Sequence, residues 1–306
     1  MSRFIEHDSV RGIPLLPVRR KALSYLDGKR LDTGGFCYFK SWGAGAPSVL
    51  DTHAALLSFS LLNSGEFQKG RSDEKTRIWI RERLLLELSF EDITGVWHLC
   101  SSLRLMGERF SEEDRFLIFE FLKKTMKHFH EQKEQGGKSG SSGSLSSLIA
   151  WNRLADISGW PDGRPFPSCS PKDFPGTLIE NLYRWEMDFS GWYLDRFLSF
   201  VDLSPFESPL FGYVLAEGST ATDMAVIVSG VLLEVKQGGS VSFPEQILDW
   251  VICSQGVSGG FGRIPGAVPD LLSTAQALLI LEILSGGRGG LEKLFPGGLW
   301  WSLQED

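Results

Sequence analysis

Asp51 and His53 stand two positions apart in PSVLDTHAALLSFSLL, where small and polar residues give way to an apolar run. A carboxylate and an imidazole at that spacing fit a general acid/base pair, because both exchange protons near neutral pH once their surroundings tune them. Asp51 also stands where a helix N-cap belongs, a role that accounts for an aspartate there without any chemistry. A metal site would need more ligands than these two, and His98 is the candidate in the neighbouring unit. Glu91 and Asp92, adjacent carboxylates ahead of ITGVWHLCSSLRLM, form a second candidate acid. At a helix start they would also compensate the helix dipole.

Trp97, Trp151, Trp192 and Tyr193 fall on the second helices of their units. Ring faces there suit an apolar ligand or a cation, and the same residues suit a plain core. Arg263 near the last helix start, with Lys40 near the first, is placed to meet a diphosphate at a positive helix end. Solvent or local carboxylates are the alternative partners. Other chemistries lack their signatures. GKS within Glu134–Ser147 has Gln132 where a phosphate loop needs glycine, and no G-x-S-x-G follows a strand. GGFG at Gly259–Gly262 lacks the strand that a dinucleotide site needs before it.

The elements that must position these residues are helical hairpins. Apolar residues at three- and four-residue spacing predict six pairs: Ala22–Arg30 with Asp51–Leu62, Lys75–Glu87 with Ile93–Met106, and Glu112–Gln132 with Ser146–Asp156. The remaining pairs are Thr177–Trp185 with Gly191–Val201, Pro209–Val214 with Thr222–Val235, and Pro244–Ser254 with Leu272–Leu284. Second helices tend to open on Asp, Ser or Thr, which cap exposed backbone N–H groups. No sustained alternation of apolar and polar residues appears, so strands should be minor. The expectation is an all-α chain with an N-terminal lead over 1–19, one domain over 20–306, and a mobile loop at about 134–147.

Bulk properties narrow the function. The chain has 306 residues and a net charge of −7, which argues against a nucleic-acid surface. Cys37, Cys100, Cys169 and Cys253 form no C-x-x-C and fit a reducing compartment. Arg3, Glu6, His7 and Asp8 precede any apolar run, which speaks against a signal peptide, and no apolar stretch approaches the ~20 residues of a membrane span. The expected location is cytoplasmic.

Two stretches share one grammar: GGFCYFKSWGAGAPSVLDTHAALLSFSLL and GGFGRIPGAVPDLLSTAQALL each run from a Gly-Gly-Phe turn through a Pro/Gly-rich loop into an apolar helix. With FEDITGVWHLCSSLRLMG, they resemble the repeats shared by terpenoid cyclases and protein prenyltransferase beta subunits. The resemblance implies an α/α toroid, six inner and six outer helices around an aromatic-lined cavity for an isoprenoid or similarly apolar ligand. Departures from the family pattern limit the chemistry it implies. The family's zinc-binding His falls on Ser273 and its Asp-x-Cys on Thr222-Asp223-Met224, so only Asp223 survives and zinc-dependent prenylation is not expected. The cyclase Asp-x-Asp-Asp box falls on Ser48-Val49-Leu50-Asp51-Thr52 or on Ser89-Phe90-Glu91-Asp92, and Leu50 occupies the acid position of the first.

The implied function is prenyltransferase- or cyclase-like acid-base chemistry by Asp51, or alternatively by Glu91 and Asp92. His53, Trp97, His98, Trp151, Trp192, Tyr193, Asp223 and Arg263 are the ligand-binding candidates. No cofactor is expected beyond Mg²⁺ accompanying a diphosphate substrate. The alternative is a non-catalytic binding or scaffold module, with a helical protein or a second copy as its partner.

Overall fold

A computed structural model describes residues 9–10, 13–38, 45–62, 74–134, 145–160, 176–189 and 201–286. The described residues are predominantly helical, and their strands form only two-stranded ribbons. A short hairpin, β1 (Ser9–Val10) with β2 (Ile13–Pro14), leads into α1 (Leu15–Lys29). Helix α1 therefore begins inside the stretch expected to be a lead. Pro17 lies in its first turn, where a missing N–H costs nothing.

Helix α2 (Val49–Leu62) is paired with α1, and α3 (Glu74–Phe90) with α4 (Ile93–Leu105). Helices α5 (Glu112–Glu134) and α6 (Leu145–Ser158) form the next pair, followed by α7 (Leu178–Phe189). The expected partner of α7 at Gly191–Val201 falls on residues 190–200, outside those described, as do residues 135–144 of the expected mobile loop. Helix α8 (Met224–Lys236) is followed by α9 (Pro244–Cys253) and α10 (Leu271–Leu284).

One expected helix is absent. Pro209–Val214 is part of a hairpin, β3 (Glu207–Ser208) with β4 (Gly212–Tyr213), after a 3₁₀ turn at Ser204–Phe206. With Pro209 and Gly212 so close together, the segment cannot nucleate a helix, and the Val214 N–H donates across the ribbon to Phe206 O at 2.9 Å.

Burial sorts the helices into two kinds. In α3 the buried residues Thr76, Ile80, Leu84 and Glu87 form one stripe, and Ile78, Leu85 and Phe90 are exposed. Such a helix has one face on the core and the rest in water. In α2, by contrast, every residue from Thr52 to Phe59 is buried, and α4, α8 and α10 are nearly as enclosed. These four are apolar around most of their circumference, which only a position inside the protein permits. Packing runs in succession through these helices and α6 and α7: α2 on α4, α4 on α6, α6 on α7, α7 on α8, and α8 on α10. Helix α10 then packs extensively on α2. Arg19 of α1 and Glu282 of α10 pair at 2.9 Å, tying the first described helix to the last.

The two Gly-Gly-Phe turns are built alike. In the first, the Gly34 N–H donates to Leu31 O at 3.0 Å, and the Leu31 N–H donates to Gly35 O at 2.9 Å. In the last, the Gly259 N–H donates to Gly256 O at 2.9 Å, and the Gly256 N–H donates to Gly260 O at 2.8 Å. Gly34 and Gly259 have φ of +106° and +97°, a region that L side chains rarely adopt. The Phe36 N–H donates to Thr52 Oγ1 at 3.0 Å, and the Phe261 N–H to Thr274 Oγ1 at the same distance. Each turn also seats against a helix of another unit. A Cβ on Gly34 would lie 2.3 Å from the Lys75 backbone of α3, and one on Gly259 would lie 2.2 Å from the Lys21 backbone of α1. Trp79 covers Gly35 as Tyr25 covers Gly260. The last turn therefore meets the first helix as the first turn meets the third.

Candidate functional site

Asp51 is not the cap of α2. Ser48 takes that role, its Oγ accepting the Asp51 N–H at 3.0 Å. With the cap supplied three residues earlier, the Asp51 carboxylate turns away from its own helix and accepts the Tyr38 N–H at 2.8 Å. Burial pushes this carboxyl above the ordinary range, against the hydrogen bonds from Tyr38 and Ser48, and the charge of Asp270 adds to the rise.

Asp270 does cap its helix. The Ser273 N–H donates to Oδ1 at 2.6 Å and the Ser273 hydroxyl to Oδ2 at 2.7 Å. Its carboxyl is also raised by burial, and its hydrogen bonds and the Arg263 charge oppose that rise. Tyr25 bridges the two regions: its hydroxyl donates to Pro269 O at 2.9 Å. Burial raises this phenol, as do the charges of Asp270, Tyr38 and Asp51. Lys29 sits over the Tyr25 and Tyr38 rings at 5.1 and 5.6 Å. At the junction of α2 with α10, then, two partly buried carboxyls stand near a phenol and an ammonium, and Asp51 feels the charge of Asp270. Like charges held near one another in partial burial favour keeping one proton, as a general acid requires.

Sequence reasoning missed Asp270 and Tyr25. The signal for Asp270 lay in the two similar stretches: aligning their Phe-to-Thr hydrogen bonds places it opposite Ser48. Tyr25 carried no local signal, since it reaches the junction only through the packing of α1 on α10.

Glu91 and Asp92 diverge rather than form an acid pair. Glu91 adopts φ +64° and pairs with Lys124 of α5 at 2.7 Å, on the side of the charged helices. Asp92 occupies the cap position of α4 without a side-chain cap bond, and its exposed carboxylate accepts the Thr94 hydroxyl at 2.8 Å. Asp223 caps α8 through the Val226 N–H at 2.9 Å and binds Arg263 Nε at 2.6 Å. Arg263 thus has the local carboxylate partner foreseen as the alternative to a diphosphate. At Ser273, Asp223 and Met224, where the resemblance would put zinc ligands, the Ser273 hydroxyl bonds Asp270, Asp223 is ion-paired, and Met224 is buried in the core. That donor set does not suit Zn²⁺. No group of three or more His, Cys, Asp or Glu residues placed to hold a metal occurs among the described residues.

His53 and His98 are brought together. Their Nδ1 atoms lie 2.7 Å apart across the α2–α4 contact, the ring centroids are 4.9 Å apart, and both residues are buried. Two protonated nitrogens cannot face each other at that distance, so at least one imidazole is neutral and accepts. Burial, reinforced by the His98 charge, holds the His53 imidazole far below its usual range. Trp97 and Trp151 are buried, and Trp151 stacks edge-on with Trp160 at 5.2 Å. Trp192, Tyr193 and Lys40 lie outside the described residues. Among the described residues, no helix is long and apolar enough to cross a membrane. Comparison with protein-family models, with curated proteins and with solved structures finds no match to this chain.

Proposed function

We propose that the chain closes into an α/α toroid holding an isoprenoid or similarly apolar ligand inside the ring, with Asp51 doing acid-base work on that ligand. Closure is supported by the packing of α10 on α2 and by the way the last Gly-Gly-Phe turn seats on α1. A closed array gives each repeat two neighbours and needs no capping unit. The observation that carries the chemistry is the partly buried Asp51 carboxyl, raised by burial and by the charge of Asp270 at the start of the adjacent helix α10. In this reading burial, with the charge of Asp270, favours the protonated form of Asp51, and Tyr25 fixes the junction. Glu91 and Asp92 take no part, because Glu91 is committed to Lys124 and Asp92 faces solvent.

The test is turnover of farnesyl diphosphate, geranylgeranyl diphosphate and squalene by the purified chain, with native mass spectrometry for a co-purifying lipid-like molecule. Turnover that Asp51→Asn abolishes while ligand binding persists would support the reading. Absence of both turnover and any bound ligand would reject it.

The second reading is a non-catalytic binding module, favoured by the pairing of Asp223 with Arg263 and of Glu91 with Lys124. Ligand retention without turnover, unchanged in Asp51→Asn, would select it.

A further inference from the structure

Large apolar side chains are not spread evenly over the surface. Of the twelve that are strongly exposed among the described residues, six lie on α3 and α5: Ile78, Leu85, Leu86, Phe90, Phe116 and Leu117. Leu85, Phe90 and Phe116 are 61%, 66% and 62% exposed. Single exposed apolar residues are ordinary, but a cluster of them on two neighbouring helices marks a surface used for contact.

The two helices are neighbours by direct contact. Arg81 of α3 reaches Asp114 of α5 at 2.8 Å, and Glu91, just past the end of α3, reaches Lys124 at 2.7 Å. These contacts advance in step along both segments, so the helices run side by side in one direction. Leu85 and Leu117 each stand one turn beyond Arg81 and Asp114, in the interval between the two ion pairs. Ile78, Leu85 and Leu86 recur at helical spacing on the side of α3 opposite its buried stripe of Thr76, Ile80, Leu84 and Glu87.

The charges on this face fit a second copy of the chain. The first turn of α5 sets Glu112, Glu113 and Asp114 against Arg115, and three turns further on Lys123, Lys124 and Lys127 are exposed. On α3 the signs run the other way: Lys75 is exposed near the start, where Glu74 is paired with Arg77, and Asp92 is exposed just past the end. Ion pairs within the face, such as Lys123 with Glu120, are exposed and hold their charges only weakly. A two-fold axis that sets α5 antiparallel to its copy brings each acidic end against a basic one, twice, and does the same for α3. A partner of one charge sign would meet repulsion at one end of the face.

We propose that this face is the interface of a homodimer, in which two copies of the chain join through α3 and α5 about a two-fold axis. The apolar side chains fill the centre of the contact, and the charged ends form its rim and fix the antiparallel arrangement. The inference is independent of any interior ligand, because the face lies on the side of α3 turned away from the core.

The test is sedimentation velocity of the whole chain from low to high micromolar concentration. The expected result is a monomer–dimer equilibrium that shifts toward monomer as salt is raised. Leu85→Glu combined with Phe116→Glu, both at exposed positions, should weaken the dimer at least tenfold and leave Tm unchanged. Glu112→Lys/Glu113→Lys and Lys123→Glu/Lys127→Glu should each weaken it as well. An equimolar mixture of those two charge-reversed variants should recover a heterodimer, a result that misfolding cannot produce. A monomer at every concentration would overturn the proposal and leave the face to a different protein. A dimer unaffected by all three variants would overturn it too, because the interface would then lie elsewhere. Failure of the mixture to recover would reject the antiparallel arrangement on which the choice of a second copy rests.

Discussion

The first and last Gly-Gly-Phe turns share a backbone scheme, but the residues that follow exchange roles. In the last turn the aspartate comes first: Asp270 caps α10 and the serine three residues later satisfies it. In the first turn the serine comes first: Ser48 caps α2, and the aspartate three residues later is left to bond Tyr38. One arrangement commits its carboxylate to holding a helix start. The other leaves a carboxylate partly buried beside the first with no capping duty. Exchanging Ser and Asp across a single helical turn thus releases one carboxylate from capping its helix.

The comparison predicts matched costs where the turns are alike. Gly34→Ala and Gly259→Ala each put a Cβ into another helix's backbone and force a positive φ on alanine, so each should lose about 3 kcal/mol or more in urea unfolding. A much milder Gly259→Ala would show that the last turn does not seat on α1 as the first seats on α3. Thr52→Val and Thr274→Val each strand a buried Phe N–H and should cost about 2 kcal/mol apiece.

The two regions should differ in acid, because only the first carries a buried imidazole. His53 is held neutral when folded and titrates near 6.5 when unfolded. The unfolded chain therefore binds the extra proton, and stability is unaffected above pH 6.5. Below it, stability falls by about 1.4 kcal/mol per pH unit until His53 itself protonates. Urea titrations between pH 7 and 5 should show this slope, and His53→Gln should flatten it. A smaller effect sharpens the carboxylate contrast: the double variant Ser48→Asp/Asp51→Ser rebuilds the last turn's order in the first. It should stay within about 1 kcal/mol of the parent in stability. It should also lose whatever turnover Asp51 supports.

Much of the helical pattern was legible because helix starts and apolar spacing are local. The boundaries at Ile93, Pro244 and Leu284 followed from caps and periodicity alone. The misreading at Pro209–Val214 came from judging an apolar hexapeptide without its ribbon partner, Phe206 to Val214. Asp51 can stand either as a cap or as a free acid on sequence grounds, because Ser48 and Asp51 are both capping residues one turn apart and local pattern cannot choose between them. Glu91 and Asp92 looked like a pair because they are adjacent, but the φ of Glu91 sends its side chain to Lys124. The sequence links His98 to His53 only as a further ligand of a metal site, whereas their contact is a direct one between Nδ1 atoms.

The amino-acid order specifies the helices, their caps, the two glycine turns and which helices are apolar enough to be enclosed. These rest on interactions within about one turn, whose partners lie close by along the chain. That Asp51 feels the charge of Asp270, that Tyr25 reaches Pro269, and that two imidazoles 45 positions apart come within hydrogen-bond distance depend on the packing of distant helices. Those contacts are set by the side chains at the helix-to-helix surfaces taken together, so no single segment encodes them.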